Sequence, residues 1–77
     1  MKLEANVKLN VSIDGYTEGS IIAINVDADY VSAYEDEIRE WIANELAKKF
    51  GHSFGDDEFE VLNLEDLMDD LLESTGL

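Results

Sequence analysis

Hydrophobic and polar residues alternate strictly along residues 2–14. Every odd position from Leu3 to Ile13 is apolar, and every even position from Lys2 to Asp14 is polar. A period of two over so many positions is typical of a β-strand with one buried face and one solvated face. The pattern therefore predicts a first strand over residues 2–14.

A turn is predicted between Asp14-Gly15 and Gly19-Ser20, with Tyr16 exposed at its tip. A second strand follows from about Ile21 to Tyr30. Alternate residues form its apolar face, namely Ile22, Ile24, Val26, Ala28 and Tyr30. Because the connection is short, the two strands are expected to pair as an antiparallel hairpin.

The next segment has the start and stop signals of an amphipathic helix. Ser32 is the predicted N-cap, and Glu35 three residues later completes a capping box. Lys48 and Lys49 in the last turn complement the helix dipole, and Gly51 is expected to end the helix in the left-handed conformation. Apolar residues recur every four positions, with Trp41 at the edge of the stripe: Tyr34, Ile38, Ile42, Leu46 and Phe50.

The residue pattern of the C-terminal third predicts one more strand and one more helix. Residues 52–57 form a loop, and the short alternation from Glu58 to Leu62 indicates a third strand. Asn63 is expected to cap a second helix, and Gly76 to end it. The apolar residues of this helix lie at i, i+3, i+4, i+7 and i+8: Leu64, Leu67, Met68, Leu71 and Leu72.

The predicted order of elements is ββαβα, in a single α+β domain over residues 1–77. A right-handed crossover through the first helix would bring the third strand beside the first. We therefore expect a three-stranded antiparallel sheet in the order 2-1-3, with 1-2-3 as the alternative. Both helices would pack on its apolar face.

Charge is the most unusual feature of the composition. The chain has 19 acidic and 5 basic residues, which gives a formal net charge of −14, and it has no cysteine. Such a charge opposes direct binding to nucleic acid or to anionic lipid, and it favours encounter with basic surfaces. Charged residues interrupt the apolar positions near the N-terminus, unlike in a signal peptide, so we expect a cytoplasmic protein.

Nine acidic residues and no basic one lie between Asp56 and Glu73. On the predicted last helix, five of them share one face opposite the leucines: Glu65, Asp66, Asp69, Asp70 and Glu73. Two charges per four-residue step of about 6 Å give a density close to that of a DNA strand, with a phosphate about every 3.4 Å. The remaining four could extend the array: Asp56, Asp57, Glu58 and Glu60. A face that serves only solubility is the competing interpretation.

This layout of charge, from Asp27 to Glu73 in a small cysteine-free domain, resembles that of phage-encoded DNA-mimic inhibitors of the anti-CRISPR and anti-restriction type. The resemblance is one of class and includes no shared motif. It implies a cytoplasmic inhibitor in a bacterial host, whose partner is a basic nucleic-acid-binding protein such as a CRISPR-Cas or restriction component. The nine acidic residues would form the partner-binding surface.

Other chemistry has little support in the sequence. The acids after Gly55 lack the spacing of an EF-hand loop, and His52 has no second ligand at a useful spacing, so no metal site is predicted. No phosphate-binding loop or nucleophile motif occurs, and we expect neither an enzyme nor a cofactor. The runner-up hypothesis is a protein-interaction or dimerisation module that uses the leucine face of the last helix, in a monomer or a homodimer.

Overall fold

The computed structural model describes residues 2–74 and confirms the predicted order of elements. These are β1 (Lys2–Leu9), β2 (Ile21–Asp27), α1 (Glu35–Phe50), β3 (Phe59–Val61) and α2 (Leu64–Ser74). β1 lies at the centre of the sheet, antiparallel to both neighbours, in the order β2-β1-β3. The α+β class and the strand order 2-1-3 are therefore confirmed, and the alternative order 1-2-3 is wrong.

The two helices cover the apolar side of this sheet. Ala5, Val7 and Leu9 of β1 are fully buried, as the alternation predicts. They belong to one hydrophobic cluster with residues from both helices, among them Ile38, Ile42, Leu46, Leu67 and Leu71. The polar residues of β1 lie on the opposite face of the sheet, where Lys2, Glu4 and Asn6 are exposed. No helix within residues 2–74 is long and apolar enough to cross a membrane.

The first strand is shorter than predicted, because it ends at Leu9 instead of Asp14. Leu9 donates its N–H to Ser20 and accepts the N–H of Gly19, so two residues oppose one and the ladder ends in a bulge. Beyond it, Asp14 (φ 44°) and Gly15 (φ 87°) form a tight turn closed by two hydrogen bonds between Ile13 and Tyr16. Beyond Leu9, Ile13 therefore finds its backbone partner inside the loop, whereas Asn10 donates its N–H to the Glu58 carbonyl at 2.9 Å.

The second strand also ends early, at Asp27. The Asp27 carboxylate accepts the N–H of Asp29 at 3.0 Å, and the Asp27 carbonyl accepts the N–H of Tyr30 at 3.0 Å. This side-chain turn takes the chain out of the sheet. Tyr30 is consequently 78% exposed, and its predicted place on the apolar face is wrong.

The predicted capping box of the first helix is also wrong. Tyr34 is the N-cap, with no side-chain cap bond, and it is 68% exposed instead of lying on the buried stripe. Glu37 replaces Glu35 in the reach-back contact, since its carboxylate accepts the N–H of Ser32 at 3.0 Å. Val31 is buried in the core and fixes the segment between β2 and α1. The helix begins after Tyr34. Gly51 is the left-handed C-cap (φ 80°), as predicted.

The second helix is present, but Asn63 does not cap it with its side chain. The Asn63 amide oxygen accepts the N–H of Asn6 at 2.8 Å, and its amide nitrogen donates to the carbonyl of Glu4 at 2.9 Å. The amide thus continues the pairing of β3 with β1, after the backbone bond from Leu62 to Asn6. The third strand covers 59–61 within the predicted range 58–62. Gly76, the predicted end of α2, lies outside the described residues.

Candidate functional site

The acidic face of α2, defined as Glu65, Asp66, Asp69, Asp70 and Glu73, lies on the solvent side of the helix. All five residues are exposed. On the other side of the helix, Leu67 is 1% exposed and Leu71 is fully buried. Because the helix spans about 16 Å and its leucines are held in the core, the carboxylates have a defined direction and spacing.

The two helices differ in how their charges relate to the helix dipole. α1 has acids in its first turn and Lys48 and Lys49 in its last turn, which is the stabilising arrangement. α2 also has acids in its first turn but no basic residue in its last turn, where Glu73 lies. A carboxylate at that end opposes the dipole. The C-terminal part of the acidic face therefore does not stabilise α2.

Asp56 lies beside α1. Its carbonyl accepts a hydrogen bond from the Arg39 guanidinium at 2.6 Å, and that guanidinium lies 4.9 Å from the ring centroid of Phe59. A shallow groove at this place is lined by Asp56 together with residues of α1: Glu35, Asp36, Arg39, Glu40 and Ala43. The structure therefore groups Asp56 with three acids of α1 that were not among the predicted partner-binding residues. The spacing of Asp36 and Glu40, four residues apart on the helix face opposite Ile38, is the signal that could have identified this group.

The other three predicted site residues have different surroundings. Glu58 is half-buried and accepts the N–H of Gly55 at 2.8 Å, so it holds the loop before β3. Asp57 is exposed in the same loop. Glu60 is exposed between the buried Phe59 and Val61, on the face of the sheet away from the helices, and is paired in register with Lys8. The nine predicted residues thus occupy three places: α2, the loop before β3, and the open face of the sheet.

The leucine positions of α2 serve mainly the intramolecular core. Besides Leu67 and Leu71, Leu64 and Met68 are partly buried against the same cluster. Leu72 is 48% exposed. Among the described leucines of α2, it is therefore the one that a partner could largely reach.

Aromatic residues form two groups along α1. At its C-terminal end, Tyr16 is 36% exposed and packs edge-on against Phe50, with ring centroids 5.4 Å apart. Nearer its N-terminal end, the Trp41 indole donates its N–H to the carbonyl of Asn25 on β2 at 2.8 Å, which confirms its place at the edge of the core. Tyr30 lines a groove of about 300 Å³ with Trp41.

No arrangement of three or more metal-ligating side chains occurs among residues 2–74. His52 stacks on Phe54 with ring centroids 4.8 Å apart, and its Nδ1 lies 2.9 Å from the Ser53 carbonyl. Comparison of the chain with protein-family models, curated proteins and solved structures finds no significant match. The arguments for function therefore come from the chain's own surfaces.

Proposed function

We propose that this chain is a non-enzymatic inhibitor that mimics nucleic acid and blocks the basic nucleic-acid-binding surface of a bacterial defence nuclease or surveillance complex. The acidic face of α2 is the central contact. The observation that carries the proposal is that five exposed carboxylates lie on a helix without lysine or arginine, whose opposite side is anchored by Leu67 and Leu71.

The spacing of these charges supports the proposal. Residues four apart on a helix are separated by about 6 Å along the axis, and neighbouring phosphates of a DNA strand by about 3.4 Å. Two carboxylates per four-residue step therefore approach the linear charge density of a nucleic-acid strand. Since the helix is held by its buried leucines, little backbone conformational entropy is lost when the array docks.

The energetics of α2 also support a role beyond solubility. Within the acidic face, Glu65 and Asp69, and Asp69 and Glu73, are like-charged pairs at i,i+4, which destabilise a helix by a few tenths of a kcal/mol each. Glu73 additionally opposes the dipole. Solubility alone does not require charges in positions that weaken their own helix.

The proposed mechanism is steric and electrostatic competition. The acidic face contacts the lysines and arginines that would otherwise hold phosphates, and the remainder of the domain occupies the groove. Attraction between opposite charges accelerates encounter, and salt screens it. Asp56 and Asp57 would contribute if the partner surface extends to the loop before β3.

The experiment compares D69N/D70N/E73Q with the control E4Q/D14N/E18Q. Each variant removes three negative charges, and all six positions are exposed. Immobilised protein is exposed to bacterial lysate at low salt, and captured nucleic-acid-binding proteins are then challenged with duplex DNA or with RNA. We expect the α2 variant to lose the partner, the control to retain it, and nucleic acid to displace it.

Affinity for the purified partner is then measured from about 50 mM to 500 mM NaCl, where the Debye length becomes much shorter than the protein. A steep loss of affinity is expected. Affinity that stays flat with salt, or equal losses in both variants, would refute the mimic. Sedimentation of the free protein tests the leucine-face alternative independently, since a homodimer through the exposed Leu72 of α2 would dissociate on L72A substitution.

A further inference from the structure

We propose that the groove between α1 and the outer edge of β2 binds an arginine-bearing extended segment of a partner polypeptide, with a guanidinium between Tyr30 and Trp41. This surface is separate from the acidic face of α2, and the inference does not depend on the function proposed above. We call it the Tyr30–Trp41 groove.

The groove consists of two adjoining depressions. One, of about 300 Å³, is lined by Tyr30, Val31, Glu37, Glu40, Trp41 and Asn44. The other, of about 280 Å³, is lined by Lys2, Asn25, Asp27, Tyr30, Trp41 and Glu45. Tyr30 and Trp41 line both depressions and therefore lie where the two meet. Each depression has room for one large side chain.

Tyr30 is largely exposed and does not belong to the hydrophobic core. It is 78% exposed, beyond the turn at Asp27 that takes it out of the sheet. Trp41 is held in place, since its indole N–H is bonded to Asn25 and its ring is partly buried against the core. One exposed and one anchored aromatic ring at a groove are suited to binding a partner side chain, because Trp and Tyr dominate protein-binding hot spots.

The negative charge around the two rings indicates that the side chain bound between them is positively charged. The carboxylates of Glu37, Glu40, Asp27 and Glu45 line the groove, against the single ammonium of Lys2. Glu37 is oriented by the N–H of Ser32, and Glu45 lies 3.8 Å from Lys48. A guanidinium suits both the aromatic rings and the carboxylates, since it stacks on aromatic faces and donates hydrogen bonds to carboxylates.

The position of β2 indicates that the occupant is an extended segment. β2 is an edge strand, and no described strand pairs with its outer side. The backbone groups of Asn6, and of Asn10 just beyond β1, form hydrogen bonds on the side of β3, so the backbone groups of the odd-numbered residues of β1 face β2. In the register of β1 and β2, the backbone N–H and C=O groups of Ala23 and Asn25 therefore point to the free outer edge of β2. Such an edge can accept a further strand. The Asn25 carbonyl already accepts the indole N–H of Trp41. A bound segment would therefore pair with the backbone of β2 at Ala23 and place one of its side chains over Trp41.

The test uses a nine-residue peptide that alternates arginine and threonine, in about 150 mM NaCl to screen non-specific attraction. Trp41 is the only tryptophan of the chain, so its fluorescence reports on the groove directly. We expect saturable binding that changes this fluorescence. A lysine–threonine peptide of equal charge should bind several-fold more weakly, because ammonium stacks less well on aromatic rings than guanidinium. A peptide with proline in place of threonine, which cannot donate to the β2 edge, should also be weaker.

Y30A and Y34A form the matched pair of variants. Both tyrosines are exposed, at 78% and 68%, but only Tyr30 lines the groove. Y30A should weaken arginine-peptide binding about fivefold or more, by loss of the cation–π contact, while Y34A should leave it unchanged. E37Q/E40Q should weaken it as well. Equal affinity for the arginine and lysine peptides, or equal effects of Y30A and Y34A, would overturn the proposal.

The α2 variant D69N/D70N/E73Q separates this inference from the proposed function. It should bind the arginine peptide as the unmodified chain does, even if it has lost its nucleic-acid-binding partner. Nuclear magnetic resonance shift changes at the Trp41 indole and at Ala23 should accompany binding. Shift changes confined to α2 would show that the peptide follows charge alone and would refute the groove.

Discussion

The side-chain amide of Asn63 acts as an additional strand residue beside β1. It accepts from the Asn6 backbone N–H and donates to the Glu4 carbonyl, at 2.8 Å and 2.9 Å. β3 has only three residues, so these two bonds are a substantial addition to its attachment. They also position the start of α2, and hence the acidic face, relative to the central strand.

Replacement of Asn63 by alanine should therefore destabilise the protein by about 1–3 kcal/mol, since each of the two lost hydrogen bonds contributes about 0.5–1.5 kcal/mol. Chemical denaturation measures the change. N10A is the control, because the Asn10 side chain makes a single, longer bond of 3.3 Å at an exposed position. If N63A and N10A had the same small effect, the Asn63 bridge would contribute nothing to stability.

The two helices show that the same charge has different effects at different ends of an element. α1 begins with acidic and ends with basic residues, whereas α2 is acidic from its first turn to Glu73. The arrangement in α1 stabilises the helix, whereas the acidic C-terminal turn of α2 interacts unfavourably with the helix dipole. Leu67 and Leu71 offset this cost, because they are completely or almost completely buried.

E73K and E35K test this difference, because both make the same change in net charge at exposed positions of opposite helix ends. E73K should stabilise the protein, and E35K should be less stable than E73K by about 1 kcal/mol. Urea denaturation at low salt measures both values. Equal stabilities would show that general charge reduction, and not the dipole, controls the effect.

L71A tests the support of α2 from its other side. Leu71 is fully buried, so its truncation should cost about 2–5 kcal/mol and unfold a substantial fraction of so small a domain. L72A removes the same atoms from a side chain that is 48% exposed and should cost much less. Thermal unfolding followed by circular dichroism distinguishes the two. Similar losses would mean that α2 does not pack through Leu71.

At the scale of the whole molecule, a net charge of −14 on 77 residues makes self-repulsion an important term in stability. The buried cluster that opposes it draws on every strand and both helices. Salt screens both this internal repulsion and attraction to a basic partner. The two effects have opposite signs, since screening stabilises the fold and weakens the complex.

The melting temperature should accordingly rise between about 20 mM and 500 mM NaCl, in the range where the Debye length falls below the size of the domain. D69N/D70N/E73Q should melt higher than the unmodified chain at low salt and respond less to added salt. Scanning calorimetry measures both. A melting temperature that is independent of salt would show that the acidic face is not under repulsion, and would weaken the proposed mimicry of a charged strand.

Much of the architecture follows from local periodicity. Alternation at Ala5, Val7 and Leu9 predicts the buried face of β1, and the four-residue spacing of Ile38, Ile42 and Leu46 predicts the buried face of α1, because burial repeats with the period of each element. The strand order follows from the way a crossover connects β2 to β3. The acids on α2 share a face for the same reason of helical spacing. The buried and acidic faces are thus decided by neighbours in the chain, and the strand order by the handedness of the crossover.

The remaining features depend on partners that are distant in the chain. β1 ends at Leu9 because Gly19 and Ser20 form a bulge opposite it, and the Asn63 amide bonds to Asn6, a residue 57 positions earlier. Glu60 is separated from the acidic face of α2 only because the sheet has two sides, and Tyr30 meets Trp41 only because α1 returns along β2. Local periodicity places side chains on an element, but hydrogen bonding and packing between elements decide where each element ends and which surfaces come together.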